Sequence, residues 1–197
     1  MNLDKIYRLK KLYFTADDLA RLLSVSKKSA QVTASRYVNS NKLIRLKRDI
    51  YILPQKLESI SEEELFEIAN LLQTPSYVSL TSALSYYNIS TQQVQNFVES
   101  IALKRTQKFV VNGYEFLYTI FKDELYFGFE RKENFFIANP EKALVDSIYL
   151  TAMKRYNCDF EAINFSRLNK NKVEKYLSKT NTAAKNLWLK LTENYKI

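Results

Sequence analysis

The chain has 197 residues, of which 46% are hydrophobic and 14% aromatic, enough apolar material for one large or two small domains. Its formal net charge is +9, and it contains no His, one Cys and two Gly. The lack of His excludes His-based acid–base chemistry and His metal ligands, one Cys excludes an intramolecular disulfide and a zinc site, and two Gly are too few for a P-loop or a GxGxxG dinucleotide site.

The first part of the chain predicts helices joined by a tight turn. Residues 2–11 have apolar side chains at helical spacing and predict a short amphipathic helix. Thr15 is a favourable N-cap for the next helix, whose first turn carries two Asp, where the helix dipole favours negative charge. Residues 24–26 predict a turn in which the apolar Val25 fills the junction between two helices, and Ser26 is the expected N-cap of the helix that follows.

That following helix, about Lys27–Asn39, has two contrasting faces. Ala30, Ala34 and Tyr37 share one face, which predicts close packing against the preceding helix. The other face presents Lys, Gln, Ser and Arg side chains, whose donors reach phosphates and base edges in a DNA major groove. A Val on the same face suits contact with a thymine methyl group.

Residues 42–53 predict a basic β-hairpin with Lys47, Arg48 and Asp49 at its tip. Helix, turn, helix and hairpin is the order of a winged helix-turn-helix, in which the wing lies over DNA phosphates or enters the minor groove. Residues 1–54 hold twelve Lys and Arg against four Asp, a net +8 of the chain's +9, and such concentrated positive charge is typical of nucleic-acid binding. The predicted DNA-contacting residues are Ser26, Lys27, Lys28, Gln31, Val32, Ser35, Arg36, Arg45, Lys47 and Arg48.

A domain boundary is expected directly after the hairpin. Pro54 begins a stretch with two Ser in which the composition changes from basic to acidic. We therefore expect a DNA-binding domain over residues 1–54, a linker over residues 55–61 and an α+β domain over residues 62–197.

Helices are expected to open the second domain. Ser61 and Glu64 form a capping-box pattern, which predicts a helix over residues 62–73. Ser79 is the expected cap of another helix that runs to about Tyr87, and a short helical turn is expected near Val94.

Beyond residue 96 the apolar period changes from helical to alternating, which predicts strands. Asn112-Gly113 lies between two β-prone runs and is a strong hairpin signal. The charged residues 130–133 are expected to form a turn, and the sheet is expected to be antiparallel with four or five strands. The predicted strands are 97–103, 108–111, 114–120, 125–129 and 134–138.

The C-terminal part predicts helices. Asn139-Pro140-Glu141 combines an N-cap, a Pro at the first helical position and an acidic first turn, and predicts a helix to about Arg155. Further helical segments are predicted within 160–165, 169–178 and 182–195. The predicted fold class is thus α+β: an N-terminal winged helix-turn-helix, followed by an α+β domain with an antiparallel sheet and C-terminal helices.

Two stretches of the second domain resemble a known family. The first is PSYVSLTSALSYY (Pro75–Tyr87), which follows the basic winged helix and precedes the Asn-Gly hairpin, and the second is NPEKALVD (Asn139–Asp146), which follows that hairpin. The resemblance is to the AbiEi family of transcriptional regulators. These proteins are antitoxins of type IV toxin–antitoxin systems in abortive phage infection, and the likeness covers roughly residues 10–155. The hairpin LIRLKRDIYIL also resembles the family's wing. The family usually has Gly where Asp49 stands, so the tip is expected to differ in shape or in phosphate contact.

The resemblance implies a function that composition does not show. The N-terminal domain would bind repeats in its own promoter and repress the operon. The C-terminal domain would oppose a nucleotidyltransferase-like toxin encoded next to it, without forming a stable complex with that toxin. Family members also occur as orphan regulators without a toxin, and this alternative stays open. Neither cofactor, metal nor catalytic residue is expected.

Other hypotheses concern the second domain. Asp123 with Glu130 and Lys132 follows the D…ExK order of metal-dependent nucleases, in which carboxylates hold Mg²⁺ and the Lys polarises the attacking water. The expected turn around Glu130 favours solvated charges instead. A patch formed by the domain's many aromatic side chains would suit a protein partner, but aromatic stripes are more often core. Lys142 and Asp146 lie four apart on a predicted helix and are interpreted as an exposed ion pair.

No part of the chain predicts contact with a membrane. No apolar run approaches the roughly 18 residues of a spanning helix, and the first residues lack the apolar region of a signal peptide. We therefore expect a soluble cytoplasmic protein whose partner is double-stranded DNA.

Overall fold

A computed structural model describes residues 2–92 and 95–197, apart from the side chains of residues 2 and 3. The chain divides into two compact units, residues 1–65 with 111–113 and residues 66–110 with 114–197. Both units combine helices with strands, which confirms the predicted α+β class. The helical turn expected near Val94 lies outside the described residues.

The first unit packs helices against a small sheet with the strand order β1-β3-β2, in which both pairings are antiparallel. The strand β1 is absent from the sequence prediction, because it has only three residues and directly precedes a helix. The elements in chain order are α1 (Asn2–Tyr7), β1 (Tyr13–Thr15), α2 (Ala16–Leu23), α3 (Lys27–Asn39), β2 (Ile44–Lys47), β3 (Ile50–Ile52) and α4 (Pro54–Glu58).

The core of the first unit joins the sheet to the helices. Phe14 of β1 pairs with Tyr51 of β3, and both side chains are buried with Leu19 of α2 and Ala30 and Ala34 of α3. Small residues on the inner face of α3 allow its backbone to approach α2 closely. The helices α2 and α3 and the sheet therefore pack around one hydrophobic core.

Two sequence expectations for this unit differ from the structure. Val25 does not fill the helix junction, because its side chain is 41% exposed. The segment expected to be a linker, residues 55–61, begins inside the helix α4 (Pro54–Glu58), and Leu57 of that helix is buried. Leu57 is thus part of a packed core, and this part of the predicted linker is not a solvent-exposed loop.

The second unit contains a six-stranded sheet with helices packed against it. The helix α5 begins in the first unit and continues into the second. The elements are α5 (Glu62–Leu72), β4 (Ser76–Val78), α6 (Leu80–Tyr86), β5 (Phe97–Ala102), β6 (Gln107–Val111), β7 (Tyr114–Ile120), β8 (Phe129–Lys132), β9 (Phe135–Ala138), α7 (Pro140–Ala152), α8 (Lys170–Leu177) and α9 (Thr182–Tyr195).

The sheet is mixed, so the predicted purely antiparallel sheet is wrong. Its strand order is β6-β7-β5-β4-β9-β8. The strand β5 pairs with β7 in parallel, with Phe97 opposite Glu115 and Ala102 opposite Ile120, and β4 pairs with β9 in parallel through Val78. Each parallel pairing joins strands that are not consecutive in the chain, which a pattern of local periodicity does not reveal.

The strand predicted over residues 125–129 is also wrong. Residues 123–125 form a single 3-10 turn, and the strand β8 starts only at Phe129. The charged residues Glu130 and Lys132 therefore lie on β8, and the turn to β9 falls at residues 133–134. Across residues 2–92 and 95–197, none of the helices combines the length and the apolar character that crossing a bilayer requires.

Candidate nucleic-acid interface

The start of α2 is fixed by a complete capping box. The Thr15 hydroxyl accepts a hydrogen bond from the Asp18 backbone N–H at 3.1 Å, and the Asp18 carboxylate accepts from the Thr15 backbone N–H at 2.9 Å. Lys11 pairs with Asp18 at 2.8 Å, and this contact, with the bonds from Thr15, holds the pKa of the Asp18 carboxyl well below its usual range. The capping box fixes where α2 begins, and α3 packs against this helix.

The helix α3 is oriented as the sequence predicts. Ala30 and Ala34 are fully buried, and Tyr37 packs partly buried against the same core. The opposite face is open, since Val32 is 48% exposed and the neighbouring cationic side chains are exposed as well. The exposed candidates on or beside this face are Lys27, Lys28, Val32 and Arg36.

A groove of about 300 Å³ lies between α3 and the β2–β3 hairpin. It brings together five predicted DNA-contacting residues, two from the helix and three from the hairpin. The side chains that line it are Gln31, Ser35, Arg45, Leu46, Lys47, Arg48, Asp49 and Tyr51.

Two hydrogen bonds tie the helix to the hairpin across this groove. The Gln31 Nε2 donates to the Asp49 Oδ1 at 3.0 Å, and the Arg45 Nη2 donates to the Ser35 Oγ at 3.3 Å. The Arg45 guanidinium also lies 5.8 Å from the ring centroid of Tyr51. These contacts link Gln31 and Ser35 of α3 to the hairpin in the structure without DNA.

The hairpin turn is tighter than the sequence analysis proposes. Lys47 still belongs to β2, so the turn consists of Arg48 and Asp49, and the pairing is irregular between Arg45 and Lys47. Asp49 has φ +60°, in the left-handed region, and its backbone carbonyl accepts a hydrogen bond from the Ala16 N–H at 2.9 Å. Asp tolerates this conformation better than most residues, which explains how the turn forms without Gly.

The remaining candidates lie outside the groove. Ser26 caps α3, where its hydroxyl accepts from the Ser29 N–H at 3.1 Å. Lys27 pairs with Asp17 at 2.7 Å, and this hydrogen bond raises the pKa of the Lys27 ammonium. Asp49 also lines the groove, although it is not among the predicted DNA-contacting residues. Its position in the turn directly after Lys47 and Arg48 is the feature of the sequence that indicates it.

In the second unit, Lys142 and Asp146 form an ion pair that is completely buried, so the expected exposed pair is wrong. The Asp146 Oδ2 accepts further hydrogen bonds from the Tyr77 hydroxyl at 3.0 Å and the Ser79 hydroxyl at 2.8 Å. Burial raises the pKa of the Asp146 carboxyl, against the lowering effects of Lys142 and the two hydroxyls. The Ser79 side chain therefore serves Asp146 rather than capping α6.

The ammonium group of Lys142 is also surrounded by rings. It lies 4.7 Å from the centroid of Phe127 and 5.2 Å from that of Phe121. The Lys142 stem passes so close to Gly128, which has φ +75°, that a Cβ on Gly128 would lie 3.0 Å from the Lys142 Cγ. Cation–π contacts and one carboxylate thus replace water around the buried charge.

A second buried carboxylate lies on β5. Glu99 is 6% exposed, and its Oε2 accepts from the Thr81 N–H at 3.0 Å and from the Tyr156 hydroxyl at 3.1 Å. Burial raises the pKa of Glu99 to about 7, although both hydrogen bonds act to lower it. No cation is among the causes of this shift, and the Glu99 carboxyl therefore changes its protonation state near neutral pH.

The nuclease-like residues have other contacts. Glu130 pairs with Lys132 at 2.7 Å and accepts a hydrogen bond from the Tyr87 hydroxyl at 3.3 Å, and the Lys132 contact lowers the Glu130 pKa. Asp123 lines a separate groove of about 600 Å³, beside Lys122. Over residues 2–92 and 95–197, no group of three or more acidic, His or Cys side chains is arranged to hold a metal ion.

Comparisons with known proteins show the fold alone. No protein-family model matches the chain, and no curated protein matches it. Among solved structures, the chain is similar to the crystal structure of the RV2827C protein from Mycobacterium tuberculosis, with a TM-score of 0.66 and 11% sequence identity. The match covers 97% of this chain and 74% of that chain, so the likeness extends over both units.

Proposed function

We propose that the first unit is a winged helix-turn-helix that binds double-stranded DNA, and that the protein is a transcriptional repressor. The observation that carries the proposal is the groove between the open face of α3 and the β2–β3 hairpin, where Arg45, Lys47 and Arg48 lie beside Gln31 and Ser35. A helix with exposed donors beside a basic hairpin fits a DNA major groove and its flanking phosphates.

The proposed docking assigns different roles to the two elements. The face of α3 with Lys28, Gln31, Val32, Ser35 and Arg36 enters the major groove, where side chains meet base edges. The hairpin lies over the sugar–phosphate backbone. A protein bound in this way neutralises phosphates with its cations and releases counterions, so its affinity falls steeply as salt rises.

The repressor role and the partners come from the resemblance of Pro75–Tyr87 and Asn139–Asp146 to the AbiEi family. We propose that the protein acts as an AbiEi-like antitoxin, which binds repeats in its own promoter and opposes a nucleotidyltransferase-like toxin. An orphan regulator without a toxin is the alternative. The adjacent reading frame distinguishes these two roles. A neighbouring nucleotidyltransferase-like gene that arrests growth when expressed, with the arrest relieved by this protein, supports the antitoxin. The absence of such a gene supports the orphan regulator.

DNA binding is tested with the full chain and a duplex from its own upstream region. We expect binding that is tighter than to a duplex of scrambled sequence and that weakens as salt increases. The triple variant Lys28→Ala, Arg36→Ala, Arg48→Ala should lose most of this affinity. A matched control removes the same charge from exposed lysines of the second unit.

The control variant is Lys175→Ala, Lys185→Ala, Lys190→Ala, and it should bind nearly as the unmodified chain does. Equal losses in the two triple variants would mean that net charge alone, and not the α3–hairpin surface, attracts DNA. That result, or no binding to either duplex, would refute the proposed interface.

A further inference from the structure

Within the groove, the contact between Gln31 and Asp49 fixes the direction of an amide. A carboxylate only accepts hydrogen bonds, whereas a side-chain amide has a donating and an accepting end. The 3.0 Å contact therefore requires the Gln31 nitrogen to face Asp49. One amide N–H is used in this bond, and the second N–H and the carbonyl Oε1 are left for another partner.

Asp49 is itself held from two sides. Its backbone is in the left-handed region at φ +60°, within the tight turn, and its carbonyl is bonded to the N–H of Ala16 at the start of α2. Gln31 lies next to the fully buried Ala30 on α3. The backbone at both ends of the contact thus belongs to packed elements, and the hydrogen bond to Asp49 orients the Gln31 amide in the structure without DNA.

We propose that Asp49 is a positioning residue that aligns Gln31 to select adenine in the major groove. This inference rests on the proposed DNA-binding function and names the base that the site selects. Adenine presents an acceptor, N7, beside a donor, the N6 amino group. The free N–H and Oε1 of Gln31 match this pair. Guanine presents two acceptors, N7 and O6, so the Gln31 carbonyl would face O6 without a proton between them.

The charge of Asp49 supports a role in selectivity rather than in affinity. A carboxylate among Arg45, Lys47 and Arg48 repels DNA phosphates and so opposes general binding. Its structural contribution to the groove is the bond to Gln31. Two substitutions separate its charge from this bond, because Gly and Asn both tolerate the left-handed backbone at this position.

The test compares Asp49→Gly, Asp49→Asn and Gln31→Ala with the unmodified full chain. The unmodified chain first selects its preferred duplex from a pool with a random core, and each base pair of that duplex is then replaced in turn. We expect a position where adenine is preferred over guanine by about 5- to 150-fold, the range of one bidentate base contact. Gln31→Ala should abolish this preference, and Asp49→Gly should reduce it several-fold.

Asp49→Asn provides the matched control. It removes the same charge as Asp49→Gly but keeps an acceptor for the Gln31 amide; because the Asn amide can also donate and so no longer dictates the Gln31 orientation, it should retain part of the adenine preference, clearly more than Asp49→Gly, while both variants gain the same affinity for random duplex. Equal loss of preference in the two variants, or no loss in Asp49→Gly, would overturn the proposal. Failure of the unmodified chain to select any duplex would instead refute DNA binding itself, and the adenine inference with it.

Discussion

Arg48 and Arg36 are both exposed cations of the first unit, but the proposed docking gives them different roles. Arg48 lies in the hairpin turn, and the proposed docking sets it over phosphates, so Arg48→Ala should weaken binding to all duplexes alike and lower the slope of log affinity against log salt by about one unit. Arg36 lies on the open face of α3, so Arg36→Ala should cost about 1–3 kcal/mol on the promoter duplex and less on random DNA. Salt titrations of each variant on both duplexes measure these effects. The opposite pattern would exchange the roles of helix and hairpin.

Glu99 should make the stability of the second unit depend on pH. Its folded-state pKa of about 7 lies above its ordinary value of 4.5, so the folded protein holds this proton more tightly. The resulting stabilisation is complete below about pH 4.5 and is lost as the pH rises through about 7. Relative to Glu99→Gln, the free energy of unfolding should fall by about 3 kcal/mol over this range.

The measurement is urea unfolding at several pH values, followed by fluorescence. The chain has a single Trp, Trp188 in α9, so this signal reports on the second unit. In Glu99→Gln, the glutamine oxygen can still accept hydrogen bonds from Thr81 and Tyr156. The two proteins are compared by how steeply the free energy of unfolding changes with pH, not by its absolute value. Parallel pH curves for the two proteins would contradict the prediction.

A sequence predicts the role of a side chain best where its partners are close by in the chain. Ser26 was predicted as the cap of α3 and is its cap, because capping depends on residues two or three positions away. The sequence favours an exposed pair for Lys142 and Asp146, because charged pairs at this spacing usually are exposed. Their burial depends on Tyr77, Phe121 and other side chains that are distant in the chain, and no local pattern encodes such contacts.

The buried ion pair lies on the helix α7, and its member Asp146 links α7 to the end of β4 through hydrogen bonds from Tyr77 and Ser79. Removing one partner leaves a charge in an apolar site, so Lys142→Met and Asp146→Asn should each lower the free energy of unfolding by about 3–5 kcal/mol. The double variant should cost clearly less than the sum, because the two side chains interact directly. Urea unfolding monitored through Trp188 gives all four values. Additive costs would show that the pair does not act as a unit.

Element prediction succeeded where the signal was local and failed where pairing was distant. The Asn112-Gly113 turn placed β7 correctly, since the turn residues themselves specify the hairpin. The three-residue strand β4 escaped prediction, because its length gives no usable period. The parallel pairing of β5 with β7 was missed for a different reason: consecutive strands suggest antiparallel neighbours, whereas β5 is bonded to the strand after next.

The division of the chain into two compact units predicts that most of the first unit folds alone. A fragment ending at Leu65 retains α4, its buried Leu57 and all of the first unit except residues 111–113, so it should be folded and should bind the promoter duplex, more weakly than the full chain. A fragment ending at Leu53 lacks that side chain and should melt at a lower temperature. Circular dichroism and DNA binding of both fragments provide the test. An unfolded longer fragment would show that the first unit depends on the rest of the chain.

The close approach of Gly128 to Lys142 also bears on how this protein can evolve. A side chain at position 128 would need both a backbone with positive φ and space that the Lys142 stem already fills. The two positions therefore constrain each other: a side chain at 128 requires the buried Lys142 stem to shift or to be shortened, and shortening residue 142 first leaves Asp146 without its cation. We expect the two positions to covary in natural relatives, with the Gly–Lys pair kept intact in most lineages and replaced jointly in the others.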